Sequence, residues 1–406
     1  MKLLISIILI TNIGYAQSLE SILHLVVENN LALKVLHSEY EAELTKANQI
    51  NKLPNLELGL GVPVLKPETR LGAQMLMVSA SQMFPWFGTL KAKEDVVLSM
   101  TSERFERIAI LKLDLFSATK KAYYKLQFLN EKEAVLNDFI EVYEALENVS
   151  LGKVESGMST TVDVLRIQLK IQELKQGLAF IDNERKIDYA KINQLINQPI
   201  ENSLKVNTKL DSLIFNFDIA RFRTKIKNNH PLISVVNIQV ESSKKRARLN
   251  KQLNSPTVGF GLDYSLVNNR FDANPIDNGR DILIPKIKIS IPVYRKSYKA
   301  KVQEEFRRQE ALELKKEDLE NKMVSLLMQL KANYDNAVLN QALNQKQIRT
   351  AQMAYEVLLS SYSSTGNGFD DLLQIQNQLL GYRLAIEKEN LNKLTIQAEI
   401  ERVVGL

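Results

Sequence analysis

The 406-residue chain contains no cysteine, and this absence excludes several classes of protein. Without a thiol we expect no disulfide-stapled domain, no thiolate metal site and no lipid-anchored lipoprotein. Glycine (15 residues) and proline (10 residues) are also scarce, which favours long uninterrupted helices. Because 45% of the residues are apolar, the composition is that of a folded protein and not of a disordered one.

Long apolar runs are missing after the amino terminus. Lys2 precedes an apolar stretch from Leu3 to Ala16, which is shorter than the roughly 20 residues of a membrane-spanning helix. Small residues end this stretch, so we expect a secretory signal peptide over residues 1–16, with an uncleaved anchor as the alternative. A membrane β-strand remains compatible with the rest of the chain, because it needs only about 9 to 11 alternating residues.

Signals of nucleic-acid binding or catalysis are weak. The net charge is +6, and a basic run occupies residues 244–251, but acidic residues are interspersed elsewhere and no aromatic residue interrupts the run. We expect a solvated helix face there and no nucleic-acid partner. His24, His37 and His230 have no metal-ligand partner at a productive spacing, and no phosphate-binding glycine loop occurs. We therefore expect no enzyme, no metal site and no cofactor.

Proline positions divide the chain into regions. No proline lies between Pro85 and Pro199, and none follows Pro292. Both gaps are rich in Leu, Ile, Ala, Glu, Lys and Gln, which are good helix formers. We predict a long helical hairpin in each gap.

The remaining prolines bracket segments with β-strand alternation. Residues 56–62 alternate, and a second run follows from Leu71 to Met83. Later, residues 258–262 alternate, a polar loop covers 268–280, and residues 287–291 alternate again. This pattern predicts two β-hairpins, four strands altogether.

The order of these segments repeats, which predicts an internal duplication with a first repeat over residues 17–212 and a second over 213–406. Each repeat contains a helix, two strands and two long helices. Four ordered blocks lie about 200 residues apart: ENNLALKV (28–35) and KNNHPLIS (227–234), LPNLELGLG (53–61) and SPTVGFGLD (255–263), FPWFGTLKAK (84–93) and IPVYRKSYKAK (291–301), SGMSTTVDVLRIQ (156–168) and TGNGFDDLLQIQ (365–376).

The last helix of each repeat carries apolar residues at alternating steps of three and four, as in a coiled coil. We expect these stripes to pack against other helices. The residues concerned are Val164, Ile167, Ile171, Leu174, Leu178 and Ile181 in the first repeat, and Leu372, Ile375, Leu379, Tyr382 and Ile386 in the second.

Four strands cannot close a barrel alone, and open edges in lipid would leave backbone groups unpaired. Three copies would supply 12 strands, which is enough for a barrel with a lumen. We therefore predict an α+β fold that is mostly α, with a trimeric 12-stranded barrel. Continuous helix from Gly88 to about Leu151 would extend about 95 Å at 1.5 Å per residue.

The duplicated order, the segment FPWFGTLKAKED and the paired motifs at 156–168 and 365–376 resemble the TolC-type outer-membrane efflux family over essentially the whole mature chain. This resemblance implies a homotrimer in outer-membrane lipid, whose barrel continues as an α-helical barrel in the periplasm. It also implies two partners, a periplasmic adaptor (membrane fusion) protein and an inner-membrane pump. The alternative class is a periplasmic coiled-coil adaptor or structural protein.

The resemblance also implies site residues. The turns between the long helices would form a periplasmic tip that contacts the adaptor, although their glycines also simply end helices. Asp371 would form a carboxylate ring at a pore constriction, with Asp370 and Asp163 as further candidates; the alternative is that these acids only favour helix starts. The glycines of the predicted tip are Gly152, Gly157, Gly366 and Gly368.

Aromatic residues cluster where the hairpins end. Phe84, Trp86 and Phe87 follow the first hairpin, and Tyr294 follows the second. Aromatic side chains favour membrane interfaces, so we expect these residues at a bilayer surface. Plain packing of the strand-to-helix junction is the alternative.

Overall fold

A computed structural model describes residues 18–204, 206 and 217–406 of the chain. The predicted signal peptide and the predicted boundary between repeats, at 212/213, lie outside the described residues. In the described part, two short helices, a β-hairpin and two long helices occur twice in the same order. An internal duplication would account for this order and stays a prediction.

The long helices follow the proline-free gaps of the sequence. The predicted helical hairpins are present, and the first helix of each is very long, with 67 and 71 residues. Good helix formers fill these segments, and the first helix of each hairpin ends at a turn that contains glycine, Gly157 in one and Gly366 in the other. Their bounds are α3 Thr89–Glu155 and α4 Thr161–Leu195, then α7 Arg295–Thr365 and α8 Phe369–Val404.

The short helices differ from the prediction, because each predicted repeat begins with two helices and not one. These are α1 Leu19–Asn29 and α2 Leu31–Ile50, then α5 Ile219–Asn229 and α6 Pro231–Gln252. Asn30 breaks the first pair, since its side-chain oxygen accepts hydrogen bonds from the backbone N–H groups of Ala32 and Leu33. Pro231 breaks the second pair, because proline suits the first position of a helix and disfavours a helical residue before it.

The sheet is antiparallel. Its strands are β1 Glu57–Gly61, β2 Glu68–Thr69, β3 Gly72–Phe84, β4 Thr257–Val267 and β5 Ile282–Ser290. The main ladder runs β1-β3-β4-β5, which agrees with the four predicted strands. The two-residue strand β2 is an addition to the prediction; it pairs with the start of β3, where the Thr69 hydroxyl donates to the Gly72 carbonyl at 2.7 Å.

The described chain forms two compact units. The first contains residues up to Val35, Ala109–His230 and Glu320–Leu406. The second contains Leu36–Ile108 and Pro231–Leu319, and therefore the whole sheet. Within the described residues, no helix combines the length and the apolarity that a membrane crossing requires.

The core of the first unit includes the predicted helical stripes. Ile167 and Leu372 are fully buried, one on α4 and one on α8. They belong to one apolar cluster with Tyr143, Leu174 and Leu379. This confirms the prediction that the stripes pack helix against helix, and burial of these apolar side chains stabilises the unit.

Ion pairs join α3 to α8 in the same unit. Lys121 pairs with Glu399 at 2.5 Å, Asp114 pairs with Arg402 at 3.1 Å, and Lys120 pairs with Glu401. Burial opposes ionisation of Glu399, but hydrogen bonds from Arg402 and Lys121 outweigh it and lower the pKa of this carboxyl to about 2.

Candidate functional site

One face of the sheet is apolar and exposed. The register places Leu58 opposite Ala80 and Leu60 opposite Val78, so these side chains share a face. Leu58 is 74% exposed and Leu60 is 73% exposed, although burial is the ordinary fate of such side chains. The same face carries Phe84, Val258, Phe260, Leu262, Tyr264, Leu283, Ile287 and Ile289.

The opposite face is polar and composed largely of small residues: Gly59, Gly61, Ser79, Ser81, Gly259 and Gly261. Its charged side chains join different strands, β5 to the neighbouring β4 in one case and β5 across β4 to β3 in the other. Lys286 pairs with Asp263, and the Lys288 Nζ donates a hydrogen bond to the Ser81 Oγ at 3.1 Å. A face with small and charged side chains suits contact with water, as on the lumen side of a barrel wall.

The outer edges of the sheet carry no partner strand among the described residues. The edge strands are β1 and β5, and both are exposed along nearly their whole length. Their free N–H and C=O groups are a template for pairing with another strand. Both edges could therefore accept a further strand.

The predicted aromatic residues surround the ends of the strands. Phe84 and Phe260 contact each other edge to face, with ring centroids 5.8 Å apart. Phe84, Trp86, Phe87 and Phe260 line an apolar cavity of about 500 Å³. Phe87 is 89% exposed and Tyr294 is 86% exposed. Phe84 thus both packs against Phe260 and stays partly exposed, and the exposure of Phe87 and Tyr294 suits a membrane interface. The position of these aromatic residues at a bilayer surface stays a prediction.

In the other unit, the turn between α7 and α8 contacts the turn between α3 and α4. Gly366 has a φ of +77°, and a Cβ atom placed on it would lie 2.0 Å from the Met158 carbonyl oxygen. Only glycine fits this close approach. Gly157 and Gly368 also have positive φ but face open space, while Gly152 lies in the last turn of α3.

A buried tyrosine connects the same two turns. The Tyr362 hydroxyl makes hydrogen bonds with Ser150 at 2.9 Å and with Ser159 at 3.2 Å. The Lys153 Nζ donates to the Ser363 carbonyl at 2.8 Å and lies over the Tyr362 ring. Sequence reasoning missed Tyr362, because only packing shows that its hydroxyl reaches α3 and the turn between α3 and α4.

The three candidate aspartates have different surroundings. Asp163 caps α4, since its carboxylate accepts hydrogen bonds from the Ser159 hydroxyl at 2.8 Å and from the Thr160 backbone N–H at 3.3 Å. Asp370 pairs with Arg166, which joins α8 to α4. Asp371 is exposed, and its carboxylate has no ion-pair or hydrogen-bond partner in the part of the chain that the structure describes.

Arg166 is a second residue that sequence reasoning missed. It lies in the quoted motif at 156–168, and an Arg three residues after the capping Asp was the available signal. Among the described residues, no cluster of three or more His, Asp or Glu side chains is arranged to hold a metal ion.

Sequence comparison gives no relative, since no protein-family model and no curated protein matches the chain. Structural comparison finds outer-membrane proteins. The outer-membrane channel OprN superposes with a TM-score of 0.76 at 14% identity, over 95% of this chain and 89% of that protein. The VceC outer membrane protein of Vibrio cholerae gives 0.73 at 11% identity, over 95% and 96%.

The MtrE outer membrane channel of Neisseria gonorrhoeae, in its open state, gives a TM-score of 0.73 at 16% identity, over 95% of this chain and 88% of that protein. The similarity extends over almost the full length of each protein, so it covers the helices and the sheet together. The chain therefore has the fold of these outer-membrane channels, which is the fold that its resemblance to the TolC-type family predicts.

Proposed function

We propose that this protein is the outer-membrane channel of a tripartite efflux or export system. The observation that carries the proposal is the sheet, with its exposed apolar face, its polar second face and its two unpaired edge strands. A sheet of this kind is unfavourable in water but suits the wall of a membrane barrel, with the apolar face toward lipid. The fold of the whole chain, which is similar to that of solved outer-membrane channels, supports the same role.

The channel is a homotrimer. Pairing of β5 in one copy with β1 in the next satisfies the edge groups that lipid would leave without hydrogen bonds. Three copies close the ring with 12 main strands, a number compatible with an open lumen. The glycine- and serine-rich face then lines the lumen, and its small side chains keep the lumen wide.

The helical hairpins extend into the periplasm and carry the contact with an adaptor protein and its inner-membrane pump. The turns that contain Gly157 and Gly366 form the surface for the adaptor. The resemblance to the TolC-type family implies that Asp371 stands at the pore constriction, where three copies of its exposed carboxylate would form an acidic ring that favours cations. Asp163 and Asp370 act mainly on the turns themselves, through their contacts with Ser159 and Arg166.

A periplasmic coiled-coil adaptor is the rival function. It agrees with the long helices, but a water-soluble adaptor has no use for a large exposed apolar sheet face. The channel function explains both features and is therefore preferred.

The test is single-channel conductance of the detergent-purified protein in planar lipid bilayers. We expect discrete channels with a preference for cations, and a weaker preference in Asp371→Ala. Glu317→Ala is the matched control, because Glu317 is an exposed helix acid outside the turns. Its cation preference should equal that of the unmodified chain.

Two results would change the proposal. Channels with the same selectivity in all three proteins would keep the pore and remove the role of Asp371. A well-folded trimer without conductance would reject the channel function and favour the adaptor.

A further inference from the structure

Basic side chains surround the helix-side ends of the strands. Lys52 precedes β1, Lys251 precedes β4, and Arg295, Lys296 and Lys299 follow β5. All five are exposed. Together they form what we call the basic collar.

The collar lacks compensating charge. None of its five side chains has an ion-pair partner among the described residues, and no acidic residue occurs between Ile282 and Gln303. At the opposite end of the sheet, the arginines of the loop after β4 are paired locally, Arg270 with Asp272 at 2.6 Å and Arg280 with Asp277 at 3.3 Å. The stretch from Ile282 to Gln303, by contrast, carries only positive charge.

Helix stability does not explain the collar. Arg295 and Lys296 occupy the first turn of α7, where the helix dipole is positive and favours acidic side chains. Like charges placed there destabilise the helix slightly. The stability of α7 therefore gives no reason for cations at these two positions.

Exposed apolar and aromatic residues directly precede part of the collar in the chain. Tyr294, which directly precedes Arg295, and Phe87 are almost fully exposed, and Val293 is exposed beside them. From the sheet toward α7, the chain thus presents an apolar sheet face, then exposed aromatic side chains and then unpaired cations. A bilayer presents the matching order of acyl chains, interface and headgroups.

We propose that the basic collar binds anionic phospholipid headgroups at the surface of the bilayer that surrounds the sheet. The inference rests on the proposed function, because it requires the apolar face to lie in lipid. Lys and Arg near a membrane surface are attracted to anionic headgroups by an interaction that salt screens. Charge complementarity and continuity with the apolar face favour lipid over an acidic protein or a second copy of the chain.

The single tryptophan of the chain provides a direct probe, since Trp86 belongs to the exposed aromatic group. The full-length protein would be reconstituted in phosphatidylcholine bilayers that contain brominated phosphatidylglycerol or brominated phosphatidylcholine. Quenching of Trp86 fluorescence then measures which lipid lies beside it. We expect phosphatidylglycerol to be preferred by about tenfold at low salt, and the preference to disappear at about 1 M NaCl.

The collar variant is Arg295→Gln/Lys296→Gln/Lys299→Gln, which should lose the preference for phosphatidylglycerol. The control removes the same number and kind of exposed cations further along α7 as Lys315→Gln/Lys346→Gln/Arg349→Gln, and should retain it. Conductance should persist in both variants.

Equal quenching by the two lipids, or equal loss in both variants, overturns the inference while leaving a conducting channel intact. Loss of the trimer in the collar variant with unchanged lipid preference assigns the collar to a second copy, and also overturns it. Absence of quenching by either lipid, together with absence of conductance, rejects the proposed function itself.

Discussion

The apolar stripes of the helical hairpins and the apolar face of the sheet differ in burial. Leu372 on α8 and Ile167 on α4 are fully buried against other helices of the same chain. Leu60 on β1 and Ile287 on β5 are well exposed, although leucine and isoleucine gain as much from burial in either place. The apolar stripes of α4 and α8 are buried within one chain, whereas the apolar face of the sheet needs surroundings that the chain alone does not supply.

The largest effect should come from truncating a helical core leucine. Leu372→Ala leaves a cavity in the helical core and should lower the free energy of unfolding by about 2 to 5 kcal/mol. Leu60→Ala makes the same chemical change on the sheet face and should cost less than about 0.5 kcal/mol in detergent. Helical circular dichroism during denaturant titration measures both. Equal losses would contradict the difference between the two regions.

A charge introduced on the sheet tests, in lipid, how its apolar face differs from its polar face. Leu60→Arg places a cation on the apolar face and should destabilise the folded protein in bilayers by about 2 to 4 kcal/mol if the residue lies near the midplane. Ser79→Arg is the control, because Ser79 lies on the opposite, polar face. Denaturant titration in lipid vesicles measures both. A larger loss in Ser79→Arg would show that the faces are assigned the wrong way round.

Within the helical region, substitutions at two glycines distinguish the cost of backbone strain from the cost of close packing. Gly366→Ala and Gly368→Ala both force an L-residue into a left-handed conformation, which costs about 1 to 2 kcal/mol. Gly366→Ala also drives a Cβ atom into the Met158 carbonyl, so its melting temperature should fall further than that of Gly368→Ala. Equal thermal shifts would show that the two turns do not contact each other closely.

The smallest effect should be on the stability of the fold at low pH, to which Glu399 contributes. Its pKa is lowered from 4.5 to about 2, so its ionised form stabilises the fold above pH 4.5, and this contribution is lost as the pH falls toward 2. Between pH 4.5 and 2, the free energy of unfolding should therefore fall less steeply in Glu399→Gln than in the unmodified chain. The difference should be less than about 1 kcal/mol, because the group is partly exposed. Glu317→Gln, at an exposed residue, should leave the acid profile unchanged.

Much of the fold follows from local sequence signals. Proline-free gaps gave the long helical hairpins, and period-two alternation gave the four main strands, because both patterns depend on neighbouring residues. The break at Asn30 was missed, since its amide donates to the Leu195 carbonyl far along the chain. The pair between Arg166 and Asp370 was missed for the same reason, as 204 residues separate them.

The candidate site divides in the same way. The sequence placed Phe87, Tyr294 and the turn glycines at the ends of elements, and the family resemblance put Asp371 ahead of Asp370 and Asp163, but neither showed which side chains these acids contact. Their surroundings depend on partners from other helices, which a single periodic pattern does not contain. The assignment of Asp371 to a pore constriction stays a prediction.

The sequence by itself determined where helices and strands form, which side of each is apolar and where the turns lie, because propensity and periodicity act over a few residues. Only the tertiary structure decided that the helical stripes bury one another while the apolar sheet face stays exposed. It also decided that the Tyr362 hydroxyl joins the two turns. These outcomes depend on contacts between distant parts of the chain, and burial is a property of the packed structure and not of any local segment.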